Sequence, residues 1–323
     1  MFNEEKKDTT IDRIKDAINS SAIVKKIKSS RLYKKYEWRS LVYILPVILV
    51  LALLNFYPIL YTIYISFTNF NIEHFYRYSI VGITNYIYVL QTSALYTIIE
   101  NTLVWSIGST LVMVPAGFIL ALIMNQRGLR GKYLYRTMFL FPWAFPAFIT
   151  ILIWSNMLAY NGGVVNEMLN VFGIRSLAWL TSPKYAMISL ILVNFWLSFP
   201  YYTFVYTSAV QSIPQELYEA AEMDGYGSIK TLTNVTLPLL RRQVAFITIF
   251  GFIFTWNNFY VPFLLTSGGP GISTQILITY SYQEAFSYDN FSLAAAYSVF
   301  SILILLVFVV VANHYSKMMQ VVY

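Results

Sequence analysis

Apolar residues gather into six stretches of about 20 residues or more, each long enough to cross a hydrocarbon layer as a helix. They are Leu41–Phe67, Ile98–Met124, Met138–Leu158, Tyr185–Val210, Val244–Thr266 and Leu293–Asn313. The segments between them are more polar, and the forty residues before the first stretch hold 11 of the 22 Lys and Arg. Pro46, Pro58, Pro115, Pro142, Pro146, Pro200 and Pro262 fall inside the stretches. Such prolines break soluble helices, but packed spanning helices tolerate them because neighbours satisfy the freed backbone groups. The pattern therefore predicts an all-α polytopic membrane protein with six transmembrane helices.

Composition agrees with that reading. Of 323 residues, 57% are hydrophobic and 11% charged, and mean hydropathy is +0.57. A soluble domain needs roughly 25% charged residues to face water all round. Aromatics reach 18%, rings that suit membrane interfaces and polar cavities. With no cysteine, thiolate metal sites, disulfides and thiol nucleophiles are excluded.

Charge placement predicts orientation. The N-terminal segment, the loops after the second and fourth stretches and the tail hold all but Arg77, Arg175 and Lys184 of the 22 Lys and Arg residues. Lys and Arg favour the cytoplasmic side, so both termini are expected there. Residues 1–40 form a basic cytoplasmic segment, not a cleavable signal, since some forty polar residues precede the first apolar core. Ile11, Ile14, Ile18, Ala22 and Ile27 recur at near-helical spacing among its lysines. That spacing fits a helix lying on the inner leaflet, and a basic disordered tail fits equally. Residues 41–316 make the membrane domain and 317–323 a short tail.

The stretches hold almost no ionisable groups: Glu100 stands at the outer start of the second and His314 just past the sixth. Ion-coupled carriers usually need such groups within the membrane. Neutral polar and aromatic residues cluster instead, as Asn194, Trp196, Ser198, Tyr201, Tyr202 and Thr203 around Pro200, and as Thr255, Trp256, Asn257 and Asn258 after Phe254. Amides and hydroxyls beside aromatic faces suit a neutral polyol. Taken singly, each residue serves equally well as a contact between helices; two clusters near mid-membrane predict a shared cavity.

Between the fourth and fifth stretches lies the loop Gln211–Arg242. Ser212 with Gln215 has the form of a capping box, with Pro214 in a first turn. Leu217, Ala220 and Ala221 give one narrow face of small residues, flanked by Glu216, Glu219, Glu222 and Asp224. Gly225 is suited to end this helix at positive φ. Ser228 is suited to cap a second short helix that stops before Pro238. A helix, a glycine break and a helix between two spans predict a docking element for another protein.

Here the residues resemble the membrane permease subunits of binding-protein-dependent ABC importers, in the sugar-permease branch related to maltose permease. The loop signature of that family stands as Glu219-Ala220-Ala221, Asp224-Gly225 and Val235-Thr236-Leu237-Pro238, with Tyr226 where alanine is usual. Phe56-Tyr57-Pro58, Val81-Gly82-Ile83-Thr84-Asn85-Tyr86, Phe139-Leu140-Phe141-Pro142, Gly162-Gly163-Val164-Val165-Asn166 and Thr266-Ser267-Gly268-Gly269-Pro270 extend the likeness from about Leu41 to the C-terminus.

The resemblance implies a type I ABC importer permease core. It implies a heterodimer with a second permease, two ATPase subunits, an extracellular solute-binding protein and a sugar substrate, in the cytoplasmic membrane. No Gly-x-x-x-x-Gly-Lys-Ser/Thr phosphate loop occurs, so ATP and Mg are expected on a separate ATPase and the chain is not itself an enzyme. Glu216, Glu219, Ala220, Ala221, Asp224 and Gly225 are implied in ATPase coupling. Asn194, Leu197, Ser198, Tyr201, Gly251, Phe254 and Thr255 are implied in sugar binding; Ser198, Gly251 and Thr255 depart from the maltose permease types. Glycerol phosphate or another polyol, an ion-coupled carrier and a lipid-sugar transferase are the rival readings.

Overall fold

A computed structural model describes residues 42–316 apart from residue 127, so the amphipathic reading of residues 11–27 lies outside the described residues. The chain divides into two compact units, Met1–Thr62 and Ile63–Tyr323. The described part of the first unit belongs to helix α1, Val42–Ile65. It contains a π-turn at Ala52–Phe56, where Tyr57 N–H donates to Ala52 O. The turn comes just before Pro58, whose ring would crowd the carbonyl four residues back in a regular helix.

The second unit is built on long apolar helices. Helix α2 is Thr84–Gln91 and α3 is Leu95–Asn125. Helix α4, Lys132–Leu140, tightens into a 3₁₀ turn at Phe141–Trp143 and is followed by α5, Ala147–Met157. Then come α6, Val164–Val171, α7, Pro183–Gln211, and α8, Gln215–Met223. Helix α9 runs unbroken over Ser228–Trp256, and α10, α11 and α12 are Tyr260–Thr266, Leu277–Phe286 and Phe291–Ser316. Among the described residues, helices α1, α3, α7, α9 and α12 are each long and apolar enough to span, and α4 with α5 brings the number to six when the bent pair is counted as one span. Counted so, the spans agree with the sequence pattern, and the chain is a multi-pass membrane protein.

Two spans differ from expectation. Met138–Leu158 is not one rod: the chain bends by 85° between Trp143 and Ala147, where Pro146 takes extended backbone and caps α5. Val244–Thr266 is not one rod either. Helix α9 ends at Trp256, and a break at residues 257–259 redirects the chain into α10. Pro115 and Pro200, by contrast, sit inside continuous helices as expected.

The core lies where α3, α7 and α9 meet. Parallel α3 and α7 approach through small residues: a side chain at Gly117 would meet the Tyr202 backbone carbonyl carbon at 2.9 Å, and one at Gly108 would meet Ile191 Cδ1 at 2.8 Å. Trp105 and Trp256 are fully buried. Trp105 Nε1 donates to Thr255 O at 3.0 Å, and Trp256 Nε1 donates to Ser301 Oγ at 2.9 Å. These bonds tie the end of α9 to α3 and α12.

Candidate functional site

Helix α8 stands between two spans on what we call the loop face. Pro214 N-caps it without any side-chain hydrogen bond. The expected capping box is absent, because Ser212 Oγ donates backwards to Ala209 O at 2.7 Å. Its C-terminus follows the expected chemistry. Gly225 has φ +74, Gly225 N–H donates to Glu222 O at 3.0 Å and Tyr226 N–H to Ala221 O at 2.9 Å. This is a complete left-handed glycine cap.

The face of small residues divides. Ala221 is buried while Leu217 and Ala220 stay exposed, so Ala221 seats α8 on its own chain. Tyr218, which the sequence did not single out, adds a bond of 3.3 Å between its hydroxyl and Thr236 Oγ1. Glu216, Glu222 and Asp224 are exposed, and Glu219 Oε1 accepts from Gln215 Nε2 at 2.9 Å. Met223 and Ile229, 87% and 80% exposed, add an apolar rim without periodicity to reveal it.

Beyond Gly225 the expectation fails instructively. Gly227 caps the next helix, not Ser228, and that helix does not stop before Pro238. A π-turn at Leu232–Thr236, closed by Leu237 N–H donating to Leu232 O, stands in the same relation to Pro238 as the earlier one to Pro58. The wider turn relieves the proline clash, and α9 continues from the loop face into the membrane as one rod.

The expected sugar residues separate into two groups. Tyr201 and Phe254 are 37% and 64% exposed, and Leu197 and Ser198 are partly exposed. Trp143, which the sequence reading passed over, joins them: its ring lies 6.1 Å from that of Tyr201 and its Nε1 donates to Leu197 O at 3.0 Å. Phe246, Phe250 and Phe254 form a ladder along α9, with centroids 4.4 and 6.4 Å apart. Below it a cavity of about 360 Å³ opens between α7 and α9, lined by Val205, Ala209, Arg242, Gln243, Phe246 and Ile247. A larger cavity of about 480 Å³ follows α3 elsewhere, beside Glu100 and Gly108.

The other three residues are packed. Asn194 is 2% exposed; its Oδ1 accepts from Asn258 Nδ2 at 3.1 Å and its Nδ2 faces Met113 Sδ at 3.8 Å. Thr255 Oγ1 donates to Gly251 O at 2.9 Å. A side chain at Gly251 would meet Tyr202 Cζ at 3.1 Å and run into its hydroxyl. These residues lie at the α3–α7–α9 junction and the helix break, placed for the interhelical contacts that their chemistry left open beside sugar binding.

The family model for the binding-protein-dependent transport system inner membrane component matches residues 113–320. The galactooligosaccharides transport system permease protein GanP of Bacillus subtilis is 34% identical over 268 residues, covering 79% of this chain and 64% of that protein. The maltose/maltodextrin permease MalF of Escherichia coli is 38% identical over 207 residues, 60% of this chain and 40% of that one. The chain thus spans less than two thirds of the length of these relatives. A crystal structure of a bacterial ABC transporter importing the acidic polysaccharide alginate contains a chain with TM-score 0.78 and 26% identity, covering 90% of this chain and 100% of that one. With a family model over most of the membrane domain, the chain belongs to the inner membrane components of binding-protein-dependent transport systems.

Proposed function

We propose that this protein is the permease subunit of an ATP-driven importer for a neutral sugar or oligosaccharide. It lines half of the translocation path and couples to a separate ATPase, which carries ATP and Mg, through α8. The observation that carries this reading is mechanical. Helix α8 ends in the Gly225 cap and is held against α9 by buried Ala221 and by the hydrogen bond of Tyr218 with Thr236, so a push on α8 reaches a membrane span through packed contacts. Glu216, Glu219 and Asp224 offer acidic contacts, and Leu217 and Ala220 an apolar one. A second permease completes the path, a binding protein delivers substrate to the face opposite the loop, and both termini lie in the cytoplasm, as the placement of basic residues supports.

Tyr201, Phe254, Leu197 and Ser198, with Trp143, are the residues we assign to the sugar path. Rings cover the apolar face of a sugar while the Tyr201 and Ser198 hydroxyls bind its rim. Relatives named for galactooligosaccharides and maltodextrin support that substrate class.

The test is uptake by the complete complex in proteoliposomes. ATP-dependent uptake competed by neutral oligosaccharides and not by glycerol phosphate is expected. Gly225→Pro should abolish it while the chain stays inserted, because proline cannot take positive φ and loses the bond to Glu222. Uptake driven by an ion gradient without ATP would overturn the reading.

A further inference from the structure

Helix α6 is not explained by transport through the core. It lies between α5 and α7 on the face opposite the loop. At 100° per residue its side chains fall into three sectors. Val165, Asn166 and Leu169 turn inward; Asn166 is 1% exposed and Val165 packs beside Trp105 and Ile151. Glu167 and Asn170 form an exposed polar sector. The third sector is apolar and exposed: Val164 52%, Met168 62%, Val171 83% and Phe172 80%. These four positions share an arc of about 100° on a regular helix. Ile174, 50% exposed, continues the apolar surface beyond a left-handed cap at Gly173, φ +74.

The helix cannot drift from this place. Asn166 Nδ2 donates to Ala159 O and Tyr160 O, both at 3.2 Å, and to Leu177 O at 3.0 Å. Its Oδ1 accepts from Leu177 N–H and Trp179 Nε1, both at 3.0 Å. One amide therefore ties α6 to the end of α5 and to the approach to α7. The residues around it are of the interfacial kind: Trp179 and Tyr185 rings lie 6.0 Å apart, and Lys184 Nζ stands 5.5 Å over the Tyr185 ring.

We propose that α6 is an interfacial helix, with its Val164–Met168–Val171–Phe172 face inserted into the leaflet opposite the Gln211–Arg242 loop and Glu167 and Asn170 in water. The partner is the lipid surface. An exposed apolar sector bounded on one side by protein and on the other by polar residues is the arrangement an element takes where protein, lipid and water meet. Charge agrees: of the basic residues described on this face, Arg77, Arg175 and Lys184, two lie on the chain that leads from α6 into α7, where lipid phosphates would meet them. This inference does not depend on the substrate or on which side of the membrane that leaflet faces.

This chain has no native cysteine, which opens a direct test on the complex assembled in nanodiscs with cysteine-free partner subunits. Single variants Met168→Cys, Val171→Cys and Phe172→Cys, with Asn170→Cys as the polar control, would carry a nitroxide label. Oxygen should relax the labels at 168, 171 and 172 several-fold more than a water-soluble nickel chelate does, with the order reversed at 170. A bimane on the same cysteines should be quenched by brominated lipid at 168, 171 and 172 only. Equal nickel access at all four positions would overturn the proposal. So would protection that appears only when a solute-binding protein is added, which would make the face a protein-docking surface. Because these side chains are largely exposed, labelling leaves the packed core untouched, and retained assembly with the ATPase checks the fold.

Discussion

Tyr202 fills a space that two glycines create, one on α3 and one on α9, and it is 3% exposed. Gly251→Ala should therefore destabilise the protein by about 1–3 kcal/mol, the usual range for overpacking. Tyr202→Phe in the same chain should recover most of that loss, since it removes the nearest atom. Thermal unfolding of the single and double variants decides this, and a fully stable Gly251→Ala would refute the wedge. Glu284 on α11 is a second residue with a measurable signature. It is 7% exposed, and burial raises its carboxyl above the ordinary 4.5, opposed by the hydrogen bond with Tyr280. A raised carboxyl favours the protonated fold, so its stabilisation is complete below 4.5 and is lost as pH climbs through the folded value. Glu284→Gln should flatten that fall; melting curves from pH 4 upward that coincide for both proteins would disprove it.

Breaks, not lengths, are what the hydrophobic pattern hid at the level of whole elements. Spans from Leu95 and Pro183 were legible because some twenty apolar residues in a row have few other uses. The break after Trp256 was not, because Phe259, Val261, Phe263 and Leu264 keep the window apolar while the backbone turns. Its marker was the pair Asn257–Asn258, which the sequence offered equally to a sugar or to a neighbouring helix. Asn194 bonded to Asn258, with Asn258 Oδ1 accepting from Val261 N–H at 3.4 Å, favours the neighbouring helix. Asn194→Ala should cost about 1–3 kcal/mol, as an orphaned buried amide does, with the order of sugar preference unchanged. Altered preference at full thermal stability would return Asn194 to the sugar. Gly225 was legible because positive φ leaves few residue choices. The helix through Pro238 was not, because a π-turn has no strong signal in residue type.

At the scale of the whole molecule, one connected path joins the loop face to the aromatic surface on the spans. Helix α8 bears on α9 through Tyr218 and Thr236, and α9 carries Phe246, Phe250 and Phe254. Trp143 and Tyr201 stand on the neighbouring elements, the turn before α5 and α7 respectively. Phe254 is 64% exposed and adds little to packing, so Phe254→Ala should slow transport several-fold with the melting temperature unchanged. Tyr201→Ala, which also loses ring contacts with Trp143 and Tyr202, should slow transport several-fold at a cost of about 1 kcal/mol in stability. Stopped-flow uptake beside a melting curve separates the two effects, and unaltered kinetics in both would move the path elsewhere. The family resemblance pointed to these two rings and passed over Trp143, whose indole the 85° bend brings to Leu197.

The π-turn at Leu232–Thr236 also has a consequence for counting residues. A π-turn accommodates one residue more than a regular helix needs between the same two end points. Elsewhere in α9 a single deletion would turn everything beyond it by about 100° and shift it by about 1.5 Å, so that Phe246, Phe250 and Phe254 faced the wrong way. Deleting Asn234 together with Pro238→Ala should instead let the turn close into ordinary helix with both flanks kept in phase. The spare residue makes this the one place in the rod where the chain can be shortened and still point the same side chains at the same neighbours.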